Sequence, residues 1–193
     1  MAFETLRDLY VDQIQDLYSA ECQILDALPK LIDKSSHVRL RDGFQQHLEQ
    51  TRQHALRLEQ IARRLNEAPH GKTCRGMAGL LKEGEEFIKD DGDQDVIDAG
   101  LIAAAQRVEH YEMAAYGCAR TFARALGFDE DAELLQQTLD EEGETNKKLT
   151  QIAESVVNPD AEKGIAVERE IRSEPVRERG VGGGRDRDSE LRP

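Results

Sequence analysis

Apolar side chains recur at three- and four-residue steps along four long stretches of the chain, the spacing that lines one face of an α-helix. The first stretch predicts a helix from about Glu4 to Lys34, with Tyr10, Ile14, Leu17, Leu25, Leu28 and Ile32 in its stripe. Pro29 predicts a kink or short break within it, because proline lacks an amide donor and crowds the preceding turn. Ser35-Ser36 reads as a capping pair for a second helix that carries Phe44, Thr51, Ala55, Leu58, Ala62 and Leu65 and ends at Pro69. His70 to Gly92 reads as a crossover with a shorter helical segment built on Met77, Leu80, Leu81, Phe87 and Ile88. The third long helix is predicted over Gln94 to Leu126 and the fourth over Glu130 to Val156, joined by Gly127-Phe128-Asp129. A turn that short makes its two helices antiparallel neighbours, whereas the long crossover lets the second and third run parallel.

Each of the four stripes is interrupted by an acid or an imidazole. At about 100° per residue, Glu21 falls among Ile14, Leu17, Leu25 and Leu28, while Glu109 and Glu112 share a face with Ile102, Ala105, Met113 and Tyr116. Glu142 sits with Leu135, Thr138, Leu139 and Leu149, flanked by Thr145 and Asn146. On the second helix His47 and His54 lie within about 20° of each other, Gln50 is at the edge of the same face, and Glu49 projects away.

Removing several carboxylates from water costs several kcal/mol apiece unless a cation or donor compensates them. Four helices that aim such groups inward therefore point to a metal centre whose candidate ligands are Glu21, His47, His54, Glu109, Glu112 and Glu142. Carboxylate oxygens with one or two imidazole nitrogens suit iron or manganese, as one or two ions. In a two-ion arrangement Glu109 and a second-helix ligand are candidates to bridge, Glu21 and Glu142 to bind terminally, and Tyr18 or Tyr116 to orient a carboxylate. Plainer readings stay open residue by residue. Glu21 can be a boundary residue that reaches outward, Glu109 and Glu112 can pair with Arg52 or Arg120, and the histidines can be ordinary core or surface residues.

Composition narrows the class. Aromatics make up 5% and Trp is absent among 193 residues, so a core of aliphatic helices is expected. The formal net charge of −13 repels polyanions, which predicts no nucleic-acid partner. No run of about 18 apolar residues and no basic-then-apolar start occurs, which predicts no membrane span and a cytoplasmic location. Cys22, Cys74 and Cys118 are odd in number and widely spaced, so reduced thiols are expected. From Pro159 onward 8 basic and 9 acidic residues alternate with Gly and few large apolar side chains. The expected organisation is thus a helical bundle over 1–158 and a disordered charged tail over 159–193, with at most a short helix near Glu168 to Ile171.

Four runs carry a family resemblance: Tyr18-Ser19-Ala20-Glu21, His47-Leu48-Glu49-Gln50-Thr51, Leu101 through Val108-Glu109-His110-Tyr111-Glu112, and Leu139-Asp140-Glu141-Glu142. Together they resemble the YciE/YciF family of bacterial stress proteins over roughly residues 3 to 157. That family is similar to the rubrerythrin-related branch of the ferritin-like superfamily. The resemblance implies an all-α ferritin-like four-helix bundle with one long crossover containing an extra short helix, a homodimer, and a di-iron type of site with ferroxidase activity. A noncatalytic helical dimer acting in stress adaptation is the alternative. Two departures bear on the choice. The Glu-x-x-His signature of such sites occurs only at Glu67-Ala68-Pro69-His70, in a loop, and Gln50 and Asn146 stand where relatives of this type carry acids.

Overall fold

Five α-helices form in order: α1 (Leu6–Lys34), α2 (Val38–Leu65), α3 (Arg75–Lys89), α4 (Gln94–Ala125) and α5 (Asp129–Ile152). The structure, a computed structural model, describes residues 3–163, and no strand occurs among them. α1 starts two residues later than its apolar pattern suggests, because Thr5 and Asp8 close a reciprocal cap. The Asp8 amide donates to the Thr5 hydroxyl at 3.1 Å and the Thr5 amide donates to the Asp8 carboxylate at 2.9 Å.

Pro29 does not break α1, which runs through it unbroken. Its ring lies on the exposed side, where water can take the hydrogen bond that proline cannot donate. Ser35 and Ser36 do not cap α2 either. Ser35 closes α1 by donating from its hydroxyl to the Leu31 carbonyl at 2.7 Å. The cap of α2 is His37, whose Nδ1 accepts from the Arg39 amide at 3.2 Å. Asp98, some 60 positions further along the chain, claims Ser36 instead. Its buried carboxylate accepts from the Ser36 amide (3.0 Å), the Ser36 hydroxyl (2.9 Å) and the His37 amide (2.8 Å).

These contacts set the bundle topology. Asp98 ties the α1–α2 turn to the start of α4, and Arg39 reaches Ser155 beyond the end of α5 at 3.2 Å. At the opposite end Asp131 on α5 accepts from Tyr10 on α1 at 3.3 Å and from Arg64 near the end of α2 at 2.8 Å. Every adjacent pair among α1, α2, α4 and α5 is therefore antiparallel, and α2 and α4 run parallel across the diagonal. α3, the crossover helix, lies over α1 and α4. It approaches closely through two glycines: a Cβ at Gly76 would stand 2.7 Å from the Tyr111 ring, and one at Gly100 would collide with Phe87.

The core divides into two apolar clusters. One gathers Ile24, Leu28, Phe44, Met77, Leu101, Ile102, Leu149 and Ile152, and the other Tyr10, Ile14, Leu17, Leu58, Ile61, Tyr116, Ala119 and Leu135. On each of the four long helices the interrupting polar residues fall between the members of the two clusters, so they occupy a layer in the middle of the bundle. The chain stays helical beyond α5, through a widened π-type turn at Ala153–Val157 and on to residue 163. That widened turn immediately precedes Pro159, which has no amide for the regular ladder. The helix thus passes the expected boundary at 158. The rest of the predicted tail, with its short helix near Glu168, lies outside the described residues. No helix among the described residues is long and apolar enough to cross a membrane.

Asp98→Ala should take from the Ser36 and His37 amides, at a partly exposed turn, the buried carboxylate to which both donate. We expect a loss of about 2–3 kcal/mol, read as a lower urea midpoint with an unchanged slope, and the helix content of the folded state should be retained.

Candidate metal centre

All six sequence-predicted side chains meet in the polar layer. Glu21, Glu109, Glu112, Glu142, His47 and His54 are 0–3% exposed. Their ligand atoms form two groups, each within 4.8 Å: His47, Glu109, Glu112 and Glu142 in one, Glu21, His54 and Glu142 in the other. Glu142 belongs to both. The shared residue is thus the α5 carboxylate, where the pattern alone favoured Glu109 and a second-helix ligand for bridging. Helical spacing explains the grouping: Glu109 and Glu112 are one turn apart on α4, and His47 and His54 two turns apart on α2, so the α2 pair serves both groups.

The distances describe donors facing one another without enough hydrogen to share. His47 Nε2 lies 3.4 Å from Glu109 Oε1. His54 Nδ1 lies 3.4 Å from Glu21 Oε1 and 3.0 Å from Glu142 Oε1. Both oxygens of Glu112 and of Glu142, one each of Glu21 and Glu109, both ring nitrogens of His47 and Nδ1 of His54 are buried with no hydrogen-bond partner. Native interiors rarely leave such groups unmet. Gathered around two points, these atoms could hold cations.

Neighbours support the layer from outside. Tyr116 donates its hydroxyl to Glu21 Oε1. Tyr18, the other tyrosine considered for that role, instead donates to Glu59 at 3.1 Å, away from the six. The arginines that could have neutralised the acids also point elsewhere: Arg52 pairs with Glu49 and Arg120 donates to Gln136. Asn146 is engaged by Gln106 at 3.1 Å, and Gln50 lines a recess between α2 and α5 with Glu144, Thr145 and Lys148. Neither joins a group.

The sequence pattern missed Glu141 and Arg57. His54 Nε2 stands 2.9 Å from Glu141 Oε2, and Arg57 grips the same carboxylate at 2.6 and 2.9 Å while donating to Thr138 at 3.0 Å. The available signal was Arg57 three positions after His54 on one helical face. Glu141 gave none, because next to Glu142 it reads as a solvated acid.

Burial dominates the protonation of the layer. It pushes Glu112 and Glu109 well above the ordinary carboxylate value, reinforced by the charges of Glu21 and Glu142 on Glu112 and of Glu142 on Glu109. Burial likewise raises Glu21, against the pull of His54, and lowers His47. For His54 burial acts against the charged ring, but Glu142 and Glu21 outweigh it and push the value up to about 10. Burial opposes ionisation of Glu142 too, yet His54 and His47 bring it below the ordinary value. Burial and mutual repulsion thus favour protons on Glu109 and Glu112, while Glu142 and Glu21 favour a charged His54.

Comparison with known proteins places this arrangement. Residues 5–162 match the family described as Domain of unknown function (DUF892). Protein YciF of Escherichia coli is 41% identical over 163 residues, covering 84% of this chain and 98% of that protein. The crystal structure of the same E. coli stress protein covers 81% of this chain and 99% of its own, with a TM-score of 0.78. YcfI from Rhodopseudomonas palustris is 39% identical over 78% of this chain and 96% of its own, with a TM-score of 0.75. A Xanthomonas campestris protein at 20% identity, with a TM-score of 0.66 over 83% of this chain and 99% of its own, shares the fold.

Glu112→Gln removes an ionisable group while keeping its shape. The raised value of Glu112 means that its contribution to stability is complete below the ordinary carboxylate value and is lost as pH rises through the folded-state value. The metal-free variant should therefore gain over wild type as pH rises from about 5 to about 8, by about 1–3 kcal/mol at the upper end. Denaturant titration at the two pH values checks this, and a constant difference between them would contradict it.

Proposed function

The chain belongs to the DUF892 family, and from its buried acid and imidazole layer we propose that it is a metal-binding ferritin-like bundle protein that holds iron or manganese between its helices. What supports this most directly is the set of buried, partnerless ligand atoms in two groups that share Glu142. Glu21, His54 and Glu142 would hold one ion, and His47, Glu109, Glu112 and Glu142 the other. Such oxygen-rich sets with one imidazole each suit Fe(II) or Mn(II) over softer metals.

Iron bound there would supply one-electron chemistry toward dioxygen or peroxide, which is the ferroxidase reading. The chain's own residues do the rest. Tyr116, whose proton is held by burial and by the Glu21 charge, donates to Glu21 and fixes that carboxylate. Protons favoured on Glu109 and Glu112, and the Nδ1 proton of a charged His54, must leave as ions enter. The apolar clusters on either side keep bulk water out of the layer. A homodimer in the cytoplasm that acts in stress adaptation completes the reading, in line with the stress protein it resembles. Its net charge of −13 weighs against nucleic acid as a partner.

A second reading has its own observation. His54 with Glu141 and Glu142, together with protons on Glu109 and Glu112, neutralise the layer without metal. A noncatalytic helical protein that acts through a partner would need no more.

Metal content decides between them. Protein purified without chelator, or loaded anaerobically with Fe(II) or Mn(II), should hold two ions per chain by elemental analysis. Glu142→Ala should lose both, while His47→Ala and Glu21→Ala should each lose one. Equally low content in wild type and all three variants would leave the noncatalytic reading standing. An oxygen pulse after Fe(II) loading should oxidise iron faster than free Fe(II), and a rate equal to free Fe(II) would remove the enzymatic claim but keep the binding one.

Uptake should also depend on pH. Because Glu109 and Glu112 are raised, binding releases protons, and affinity should fall as pH drops from about 8 to about 6, by about tenfold per unit for each proton displaced. Unbuffered loading followed by a pH electrode should register that release.

A further inference from the structure

The two histidines of the layer are held in different ways. His47 has no hydrogen-bond partner on either ring nitrogen. His54 is fully buried and its Nε2 is committed to Glu141 at 2.9 Å. Glu141 is in turn fixed by both guanidinium nitrogens of Arg57, and Gln137 donates to it at 3.3 Å. A carboxylate gripped by arginine can only accept from the imidazole, so Nε2 must be the nitrogen that carries hydrogen. That leaves Nδ1 as the atom facing Glu21 and Glu142.

We propose that Glu141, clamped by Arg57, is a positioning residue that holds His54 with Nε2 protonated and Nδ1 toward the metal, which makes the Glu21, His54 and Glu142 position the tighter of the two. This rests on the metal-binding reading and adds an order of strength between its ions. The physical reason is preorganisation. An imidazole anchored through its far nitrogen has its ring orientation fixed and, once the entering ion displaces the Nδ1 proton, its tautomer decided, and the acid behind it makes it a better donor. His47 must settle both on binding. Glu141 touches no ion itself. Its side chain is 26% exposed against 0% for His54, so the clamp sits on the rim of the bundle between α2 and α5 and reaches the layer only through the ring.

Mn(II) titration followed by the EPR signal of the free ion, with ring-nitrogen NMR of histidine-labelled protein loaded with Zn(II), tests the assignment. Wild type should show two affinity classes, and His54 should bind Zn(II) through Nδ1 with Nε2 still protonated. In Glu141→Leu the tighter class should weaken by about 10- to 100-fold, the looser class should hold, and the single His54 form should be lost. Glu141→Gln, whose amide oxygen still accepts from Nε2, should recover the His54 form and most of the affinity. Arg57→Gln should fall between.

A Glu141→Leu protein with wild-type melting, unchanged tight binding and an unchanged His54 signal overturns the proposal, as does equal weakening of both classes. Should Glu141→Leu fail to fold, wild-type binding in Arg57→Gln with an unchanged His54 signal overturns it instead. A wild-type protein that takes up neither Mn(II) nor Zn(II) overturns the metal-binding reading itself, so the two failures are told apart.

Discussion

Four carboxylates and two imidazoles share one layer of the bundle interior, and the arrangement is tolerable only if positive charge enters with them. Left ionised together, the acids would repel one another in a medium of low polarity, and each would forfeit hydration worth several kcal/mol. Two neutralising schemes fit the same side chains. Protons can sit on Glu109 and Glu112 with the charge of His54 set against Glu142, or divalent cations can take the places of those protons. The first scheme leaves buried oxygens and nitrogens unmet, while the second turns the same atoms into ligands. Well-packed apolar side chains in the same places would hold the bundle together at least as well.

The rest of the fold serves that layer by holding four helices in register. Asp98 at one end and Asp131 at the other are buried acids whose hydrogen bonds lock helix termini to their neighbours. The apolar clusters above and below fix how far each helix can slide, because a shift of one turn would bring a carboxylate against Phe44 or Leu58. Over the outside of α1 and α4, α3 docks where Gly76 and Gly100 leave room for Tyr111 and Phe87. The Xanthomonas campestris protein at 20% identity has the same fold.

Much of this was legible along the chain. Helix count, the crossover and the six inward polar residues follow from the 3.6-residue period, since a side chain's face on a helix is a local property. Most boundaries were read to within two residues. The departures come from what surrounds a residue in the folded chain. Pro29 was expected to interrupt α1, but solvent on its exposed side absorbs the lost hydrogen bond. Ser36 was expected to cap α2, but Asp98 from α4 claims it. Composition marked a boundary at 158, and helix runs on to residue 163.

What the amino-acid order determined by itself, then, is which residues face inward and that they conflict with an apolar core. Which of them meet was decided only when four helices packed. Glu142 stands in both ligand groups because α5 lies beside both α2 and α4, a fact of packing that no single-helix period contains. The partners of His54 have the same origin: Arg57 shares its helix, but Glu141 arrives from α5 and is recognisable only once the two surfaces meet. Faces are set by short-range geometry, whereas pairings between helices depend on relative height and rotation, which arise from the packing of the whole core.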